Sequence, residues 1–318
     1  MNALSRRRFG QLALTASLAA TSTRPAFADG KVVRIGYQKI GAFALLKPTG
    51  QLEQLLKPLG YTVTWKEFPA GPQLLEAVNV GAIDFAHTGE APPIFGQAAG
   101  APILYIGHEP AAPEAEAILV QKDSPLTSVA DLKGRKVALN KGSNVHYLLV
   151  KALEKAGLAY SDVNVIFLAP ADGRAAFEKK AIDAWVIWEP FRAAAEIATG
   201  ARTLADGTGI VSNLEFLFTT KPFAEKNPKD VVDIVLKASK DIYVKAGADI
   251  RGTAENFSQA VGIPVEAFER SLKRKRLDIL PISEAILAEQ QKIADTFLEL
   301  KLIPKPIRVA DAAYKPTS

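Results

Sequence analysis

The sequence predicts an α/β fold with room for two lobes, each built on a mostly parallel sheet flanked by helices. Short apolar segments alternate with segments of helical periodicity between residues 31 and 199. This alternation is typical of parallel sheets covered by helices on both faces. The last third of the chain is mostly helical in its periodicity. A length of 318 residues is generous for one domain and comfortable for two lobes.

The first four predicted strands are short, and they are either apolar or alternate between apolar and polar residues: Lys31–Tyr37, Tyr61–Phe68, Ile83–His87 and Ile103–Gly107. Helical periodicity connects these strands over Phe43–Leu59, Pro72–Val80 and Pro92–Gly100. Gly60 and Gly81 mark the ends of the first two of these helices. The first half of the chain therefore reads as strands joined by helices.

The same alternation continues with predicted strands at Ala117–Gln121, Lys136–Asn140, Val163–Leu168 and Ala184–Trp188. The helices between and after them are predicted at Val145–Ala156, Arg174–Lys180 and Pro190–Thr199. The C-terminal third carries helices at Pro228–Lys245, Ser258–Val261, Val265–Leu272 and Ser283–Leu300. The apolar residues of the last helix keep helical spacing, which predicts that it packs on a sheet.

The N-terminus has the pattern of an export signal. Three arginines, Arg6 to Arg8, precede the uncharged apolar run Leu12–Ala20, and Ala26-Phe27-Ala28 offers a cleavage site. The paired arginines followed by Phe9 fit the twin-arginine route. The apolar run is well short of the ~20 residues that span a bilayer. Residues 1–28 are therefore predicted to be a signal peptide of the twin-arginine type.

Composition excludes several functional classes. Without residues 1–28 the chain has 35 Lys and Arg against 34 Asp and Glu, so nothing predicts nucleic-acid binding. The chain contains no cysteine, which excludes thiol nucleophiles, Cys-based metal sites and an acylated N-terminal cysteine. The three histidines lie far apart, and no metal site or cofactor is predicted. We expect a freely diffusing protein that an outer membrane retains in the periplasm.

The turns that follow the predicted strands share one chemistry. Four such turns lead into a helix, His87–Glu90, Asn140–Asn144, Pro170–Gly173 and Trp188–Pro190, and the first three carry glycine, alone or with a small hydroxyl or an amide. Ligands of open parallel sheets bind at the carboxyl ends of strands, and helix starts present unpaired N–H groups there. The pattern indicates a site for a small anion such as a sulfonate, which only accepts hydrogen bonds. Each residue taken alone also fits a helix cap.

Five segments carry a resemblance to a known family: Tyr37–Lys39, Phe68–Ala77, Gly81–Pro93, Asn140–Leu153 and Asp183–Pro190. They resemble the aliphatic-sulfonate-binding proteins of ABC importers, and at a lower level the taurine- and nitrate-binding proteins. The resemblance implies a type II periplasmic binding protein, acting as a monomer, that closes around an aliphatic sulfonate. It would deliver the sulfonate to a permease in the inner membrane for sulfur acquisition.

The resemblance also implies the division of the chain. Lobe 1 is expected to comprise residues 31–113 and 214–318, and lobe 2 residues 114–213, with crossings near 111–117 and 210–216. Twelve residues are then candidates for ligand contact: Gln38, Thr88, Gly89, Glu90 and Phe216 from lobe 1, and Gly142, Ser143, Asn144, His146, Asp172, Trp188 and Glu189 from lobe 2. Thr88 with Gly89 is the preferred sulfonate contact. Core packing remains the alternative for His146 and Phe216, and capping for Gln38 and Asp172.

Other functions stay open as alternatives. Taurine, nitrate or a thiamine precursor are ligands of proteins that share the fold. Two kinds of enzyme on this fold rely on cysteine, porphobilinogen deaminase to anchor its cofactor and the thiamine-pyrimidine synthases in a cysteine-rich signature, and this chain has none. It also lacks the G-x-S-x-G elbow of a hydrolase and the G-x-x-x-x-G-K-[ST] phosphate loop. The sequence therefore predicts a binding protein and not an enzyme.

Overall fold

A computed structural model describes residues 31–227 and 229–315. The predicted signal peptide, residues 1–28, lies outside the described residues, as does Pro228, the predicted start of a helix. Among the helices that the structure describes, none is both long and apolar enough to span a bilayer.

Ten strands form two five-stranded sheets within the described ranges. They are β1 Lys31–Tyr37, β2 Tyr61–Glu67, β3 Phe85–Gly89, β4 Ile103–His108, β5 Glu116–Val120, β6 Lys136–Leu139, β7 Asn164–Phe167, β8 Ala184–Trp188, β9 Arg202–Asp206 and β10 Glu215–Thr220. The first sheet has the order β2-β1-β3-β10-β4, and the second the order β7-β6-β8-β5-β9. In each sheet four strands run in one direction and one, β10 or β5, runs antiparallel to them. The prediction of mostly parallel sheets is thus confirmed.

Helices cover both sheets. They are α1 Ala42–Leu46, α2 Gln51–Leu56, α3 Gly71–Asn79, α4 Pro92–Ala98, α5 Asn144–Lys155, α6 Pro170–Glu178, α7 Phe191–Thr199, α8 Lys221–Lys226, α9 Lys229–Ala248, α10 Ile250–Val261, α11 Val265–Lys273 and α12 Glu284–Glu299. The single helix predicted over Phe43–Leu59 is wrong, because two short helices and two 3₁₀ turns occupy this range. Pro48 lies in the first 3₁₀ turn and Gly50 follows at a φ of 62°, and together they interrupt the helix.

Two strands, the short helix α8 and parts of two further helices were not predicted. β9 and β10 lie where the sequence predicted only connections, and β10 is inserted antiparallel into the middle of the first sheet. Helix α10 begins at Ile250 and not at Ser258, because the Asp249 carboxylate accepts the Gly252 N–H at 2.8 Å. Helix α6 begins at Pro170 and not at Arg174, so the predicted turn is already helical.

The connections between the sheets place the cleft. The chain leaves the first sheet after His108, enters the second at Glu116 and returns between Asp206 and Glu215. Strands β1 and β3 end opposite the start of α5 and the end of β8, so their carboxyl ends face one another across the cleft. Helix α11 packs against α7, which holds the two sheets together at a second place.

Candidate functional site

A small cavity of about 30 Å³ lies between the two sheets, at the ends of β1, β3 and β8. Six of its lining residues were predicted: Gln38, Thr88, Gly89, Ser143, Asn144 and Trp188. Five more were not predicted: Ile40, Gly71, Pro92, Asn213 and Glu215. Their convergence follows from the topology, because the carboxyl ends of parallel strands and the helix starts after them meet at one edge. We call this space the cavity.

Helices α3 and α5 both begin at the cavity. Their first-turn N–H groups lack partners within the helix and carry the positive end of the helix dipole. Gly71 opens α3, and a Cβ atom there would lie 2.2 Å from Oγ1 of Thr88 and 2.6 Å from Cγ of Pro92. Only glycine therefore lets α3 start this close to Thr88. The arrangement aims neutral hydrogen-bond donors at the cavity.

The hydroxyl of Thr88 stands out among these donors. Thr88 is buried, and its Oγ1 has no hydrogen-bond partner among the described residues. A buried polar atom without a partner costs about 1–3 kcal/mol, so it calls for an explanation. By contrast, the Ser143 hydroxyl donates to the Asn140 carbonyl at 2.6 Å, and the Gln38 amide donates to the His87 carbonyl at 3.3 Å. The Thr88 hydroxyl can therefore donate a hydrogen bond to a ligand.

Asn144 connects both sheets and the chain crossing. Its Oδ1 accepts the N–H of Ala91 at 3.2 Å, and its Nδ2 donates to Oδ1 of Asn213 at 2.6 Å. Asn213 in turn donates to the carbonyl of Ala112 at 2.8 Å. A Cβ atom at Gly89 would lie 2.1 Å from Oδ1 of Asn144, so glycine is needed for this approach. Asn213 has a φ of 48°, a conformation that asparagine tolerates better than most residues.

A group of four buried charges lies behind the cavity, and we call it the charged cluster: His87, Glu109, Glu215 and Lys275. Lys275 Nζ lies 2.8 Å from Glu109 Oε2 and 2.9 Å from Glu215 Oε2. His87 Nε2 lies 2.6 Å from Glu109 Oε1 and 3.1 Å from Glu215 Oε2. His87 and the two glutamates could offer ligand atoms to a metal. The Lys275 ammonium already bridges both carboxylates and supplies the positive charge there.

The pKa directions in the charged cluster show that its charges balance. Burial alone would raise the pKa of Glu215, but Lys275 and His87 outweigh it and lower the pKa to about 2. Burial would lower the pKa of His87, but Glu109 and Glu215 outweigh it and raise the pKa to about 9. Two cations thus face two carboxylates at neutral pH. Although Glu215 lines the cavity, its charge is compensated and does not repel an anion there.

Two predicted glutamates lie outside the cavity lining. Glu90 is fully buried, and its Oε2 accepts the N–H of Leu214 at 2.7 Å, which directs the carboxyl toward the chain crossing. Burial raises the pKa of Glu90 to about 8, so it is mostly protonated at neutral pH. Glu189 accepts from Arg274 and from the N–H of Ala193 at 3.1 Å. Both side chains are therefore engaged by the protein itself.

Four more predicted residues also lie away from the cavity lining: Gly142, His146, Asp172 and Phe216. Nδ1 of His146 accepts the N–H of Gly142 at 3.2 Å, so the ring proton is on Nε2. This Nε2–H donates to the Tyr160 hydroxyl at 2.7 Å. Burial lowers the pKa of His146 to about 4, so the ring is neutral. Asp172 is exposed in the first turn of α6. Phe216 pairs with Thr88 in the ladder and lies on the same face of the sheet, but it is buried in the core, where its ring packs 5.0 Å from that of Tyr105.

Sequence reasoning had signals for some of the residues it missed. Gly71 lies inside a segment that carries the family resemblance, and Asn213 lies in a predicted crossing. Glu215 lies in the same predicted crossing, but its pairing with Lys275 had no signal, because 60 positions separate two residues that only the fold brings together.

Comparison with known proteins agrees with this geometry. Residues 60–248 match the family described as NMT1/THI5 like. A protein of Escherichia coli K12 named as an aliphatic sulfonates-binding protein is 41% identical over 98% of this chain and 98% of its own. The crystal structure of the periplasmic aliphatic sulphonate binding protein SsuA from Escherichia coli superimposes with a TM-score of 0.82, at 40% identity over 91% of this chain and 93% of that one. The alkanesulfonate-binding protein SsuA from Xanthomonas axonopodis pv. citri, bound to MOPS, gives 0.84, at 39% identity over 89% and 98%.

Proposed function

This chain belongs to the NMT1/THI5-like family and, within it, to the aliphatic-sulfonate-binding proteins, and from that premise we propose that it is the solute-binding component of an ABC importer. It captures an aliphatic sulfonate in the periplasm as a monomer and presents it to a permease in the inner membrane. The sulfonate then serves as a source of sulfur.

The observation that carries this proposal is the unpartnered hydroxyl of Thr88 beside two helix starts. A sulfonate has a permanent negative charge and three oxygens that only accept hydrogen bonds. Thr88 supplies a hydroxyl donor, and the starts of α3 and α5 supply N–H groups and partial positive charge. Such a set binds an anion without burying a further full cation.

We propose that closure of two lobes traps the ligand. The cavity of about 30 Å³ has room for about two water molecules, so the lobes must separate to admit a sulfonate. The hinge would lie in residues 109–115 and 207–214, which connect the two sheets. Contacts from Asn144 to Ala91 and from Arg274 to Glu189 favour the closed form. A ligand that touches both lobes would shift the population toward it.

Binding fits the cavity better than catalysis does. A nucleophilic serine needs a base within hydrogen-bond reach, but the Ser143 hydroxyl donates to a backbone carbonyl. The cavity carboxylate, Glu215, is compensated by Lys275 and His87 and holds no proton at neutral pH. The groups at the cavity can therefore hold an anion but not activate a nucleophile.

Calorimetric titration of the mature protein tests the proposal with ethanesulfonate, taurine, nitrate and propionate as ligands. We expect ethanesulfonate to bind and to raise the melting temperature, and propionate to bind more weakly, because it offers two acceptor oxygens and not three. Binding of nitrate alone would overturn the sulfonate assignment but would retain the proposal that the protein is the solute-binding component of an importer.

A paired substitution tests the site. Thr88→Val removes the hydroxyl and keeps the shape, so we expect ethanesulfonate affinity to fall about 10- to 150-fold, the loss of one hydrogen bond to a charged group. The ligand-free protein should melt no lower than the wild type, because the hydroxyl has no protein partner. Thr62→Val, on an exposed position of β2, is the control and should change neither value. Equal affinity in Thr88→Val and wild type would remove Thr88 from the site.

A further inference from the structure

A second cavity borders the segment by which the chain returns from the second sheet to the first. It has a volume of about 260 Å³, and residues of α5, of α12 and of this returning segment line it. We call it the crossing pocket and define it by Glu90, Leu214, Glu289, Gln290 and Ile293.

The crossing pocket is separate from the cavity, although the same segment forms a wall of both. Ser212 and Leu214 line the crossing pocket, whereas Asn213 and Glu215 line the cavity. Among the described residues, none lines both spaces. A molecule in the crossing pocket therefore does not occupy the place of the sulfonate.

Two buried oxygens of residues at the crossing pocket, Oε1 of Glu90 and Oε1 of Gln290, have no hydrogen-bond partner in the part of the chain that the structure describes. The other polar atom of each side chain is engaged. Oε2 of Glu90 accepts the N–H of Leu214 at 2.7 Å. Nε2 of Gln290 donates to the carbonyl of Glu90 and, at 3.2 Å, to the hydroxyl of Tyr105. A buried polar atom left unpaired costs about 1–3 kcal/mol, so these two oxygens call for a donor.

Glu90 also lacks the cation that the carboxylates of the charged cluster have. Those two carboxylates face the ammonium of Lys275. Within the described ranges no lysine, arginine or histidine forms an ion pair with Glu90, and the charges that act on it come from Glu289 and Glu215. Burial and these two negative charges raise the pKa of Glu90 to about 8. A positive charge in the crossing pocket would offset both effects.

The remaining walls suit a short hydrocarbon chain. Ile210, Val211 and Ile293 line the crossing pocket together with the two acceptor residues. Glu289 adds an exposed carboxylate. A metal ion with its bound waters would leave the apolar side chains against water, whereas an alkyl group covers them. An ammonium group offers three N–H donors and a positive charge in one small group.

We propose that the crossing pocket binds a primary alkylammonium ion, whose –NH₃⁺ group donates to Oε1 of Glu90 and Oε1 of Gln290 while its alkyl chain packs against Ile293. The ion supplies both the donors and the charge that these residues lack. Hydrogen bonds between ionised groups are about twice as strong as neutral ones. The crossing pocket takes a cation and the cavity an anion, so the two sites differ in chemistry as well as in place.

Calorimetric titration of the full mature protein with n-butylammonium chloride tests this site. The titration is done at pH 8, where Glu90 is about half ionised. Three further probes each lack one feature: tetramethylammonium has no N–H donor, butan-1-ol has no charge, and calcium has no alkyl chain. We expect n-butylammonium alone to bind, and to bind equally well in the presence of saturating ethanesulfonate. No binding of n-butylammonium, equal binding of any of the three other probes, or competition with ethanesulfonate would overturn the site.

A conservative variant links the binding to Glu90. Glu90→Gln removes the charge and keeps an acceptor for the N–H of Leu214, so n-butylammonium affinity should fall about 10- to 150-fold. Glu284→Gln, an exposed position on the same helix as Gln290, is the matched control and should bind within about twofold of wild type. Unchanged affinity in Glu90→Gln would overturn the assignment.

The variant of the cavity separates this inference from the proposed function. Thr88→Val should bind n-butylammonium within about twofold of wild type, because Thr88 lines only the cavity. An equal loss of n-butylammonium affinity in Thr88→Val and Glu90→Gln would overturn a separate site. Binding of n-butylammonium without any binding of ethanesulfonate would support the crossing pocket and overturn the proposed function.

Discussion

His87 and Thr88 are neighbours on β3, yet they belong to regions of opposite chemistry. Successive side chains of a strand point to opposite faces, so Thr88 faces the cavity while His87 joins the charged cluster. The cavity relies on a hydroxyl, amides and helix starts. The charged cluster holds full charges that neutralise one another. We propose that this protein uses dipoles to recognise its ligand and full charges to fix its scaffold.

The positions of the clustered charges explain that division. Glu109 follows β4, where the chain leaves the first sheet, and Glu215 begins β10, where it returns. Lys275 follows α11 and contacts both carboxylates. The hydroxyl of Tyr243 on α9 also donates to Glu109. The charged cluster therefore ties both connections between the sheets to the C-terminal helices.

The largest effect is expected from Lys275→Met, which breaks the charged cluster. Two buried carboxylates would then share one cation of the cluster, His87, so the free energy of unfolding should fall by about 3–5 kcal/mol in urea denaturation. Lys237→Met removes an exposed ion pair with Asp241 and should cost less than about 1 kcal/mol. Adding Glu215→Gln to Lys275→Met should recover part of the loss. Equal losses in the two lysine variants would mean that the charged cluster does not stabilise the scaffold.

A smaller effect, on affinity, is expected from Arg274→Gln. Arg274 contacts Glu189 and, at 2.7 Å, Glu196, and so joins α11 to the lobe that carries α7. In the closed form, and only there, the substitution leaves the buried Glu189 carboxylate without Arg274. The ligand should therefore dissociate faster and bind about tenfold more weakly. Arg270→Gln, whose side chain is half exposed and 3.2 Å from Glu196, is the matched control and should bind within about twofold of wild type. An unchanged dissociation rate in Arg274→Gln would show that this contact does not hold the lobes closed.

The sequence predicted those features that depend on local pattern. Periodicity and glycine positions located β1 to β8, and strand ends followed by Thr88-Gly89 and Ser143-Asn144 located the cavity. It did not predict β10, whose role as an inserted antiparallel strand depends on its neighbours in the sheet. Nor did it predict that Glu189 pairs with Arg274. Such contacts join distant parts of the chain, and no local pattern records them.

The last prediction concerns pH and separates the two regions by titration. His87 has its pKa raised from 6.5 to about 9, so its contribution to stability is complete below about pH 6.5 and is lost as the pH rises through about 9. Burial raises the pKa of Glu90 from 4.5 to about 8. The contribution of Glu90 to the stability of the folded protein therefore also falls as the pH rises from about 4.5 to about 8. Glu215, with a pKa lowered to about 2, acts in the other direction and only below about pH 4.5. The melting temperature should therefore fall between about pH 6.5 and 8, where His87 and Glu90 act together.

His87→Gln and Glu90→Gln should each flatten part of this fall, whereas ethanesulfonate affinity, measured where the protein stays folded, should change little because neutral donors bind it. A steep loss of affinity over the same range in wild type that His87→Gln abolishes and Glu90→Gln retains would show that the charged cluster takes part in recognition.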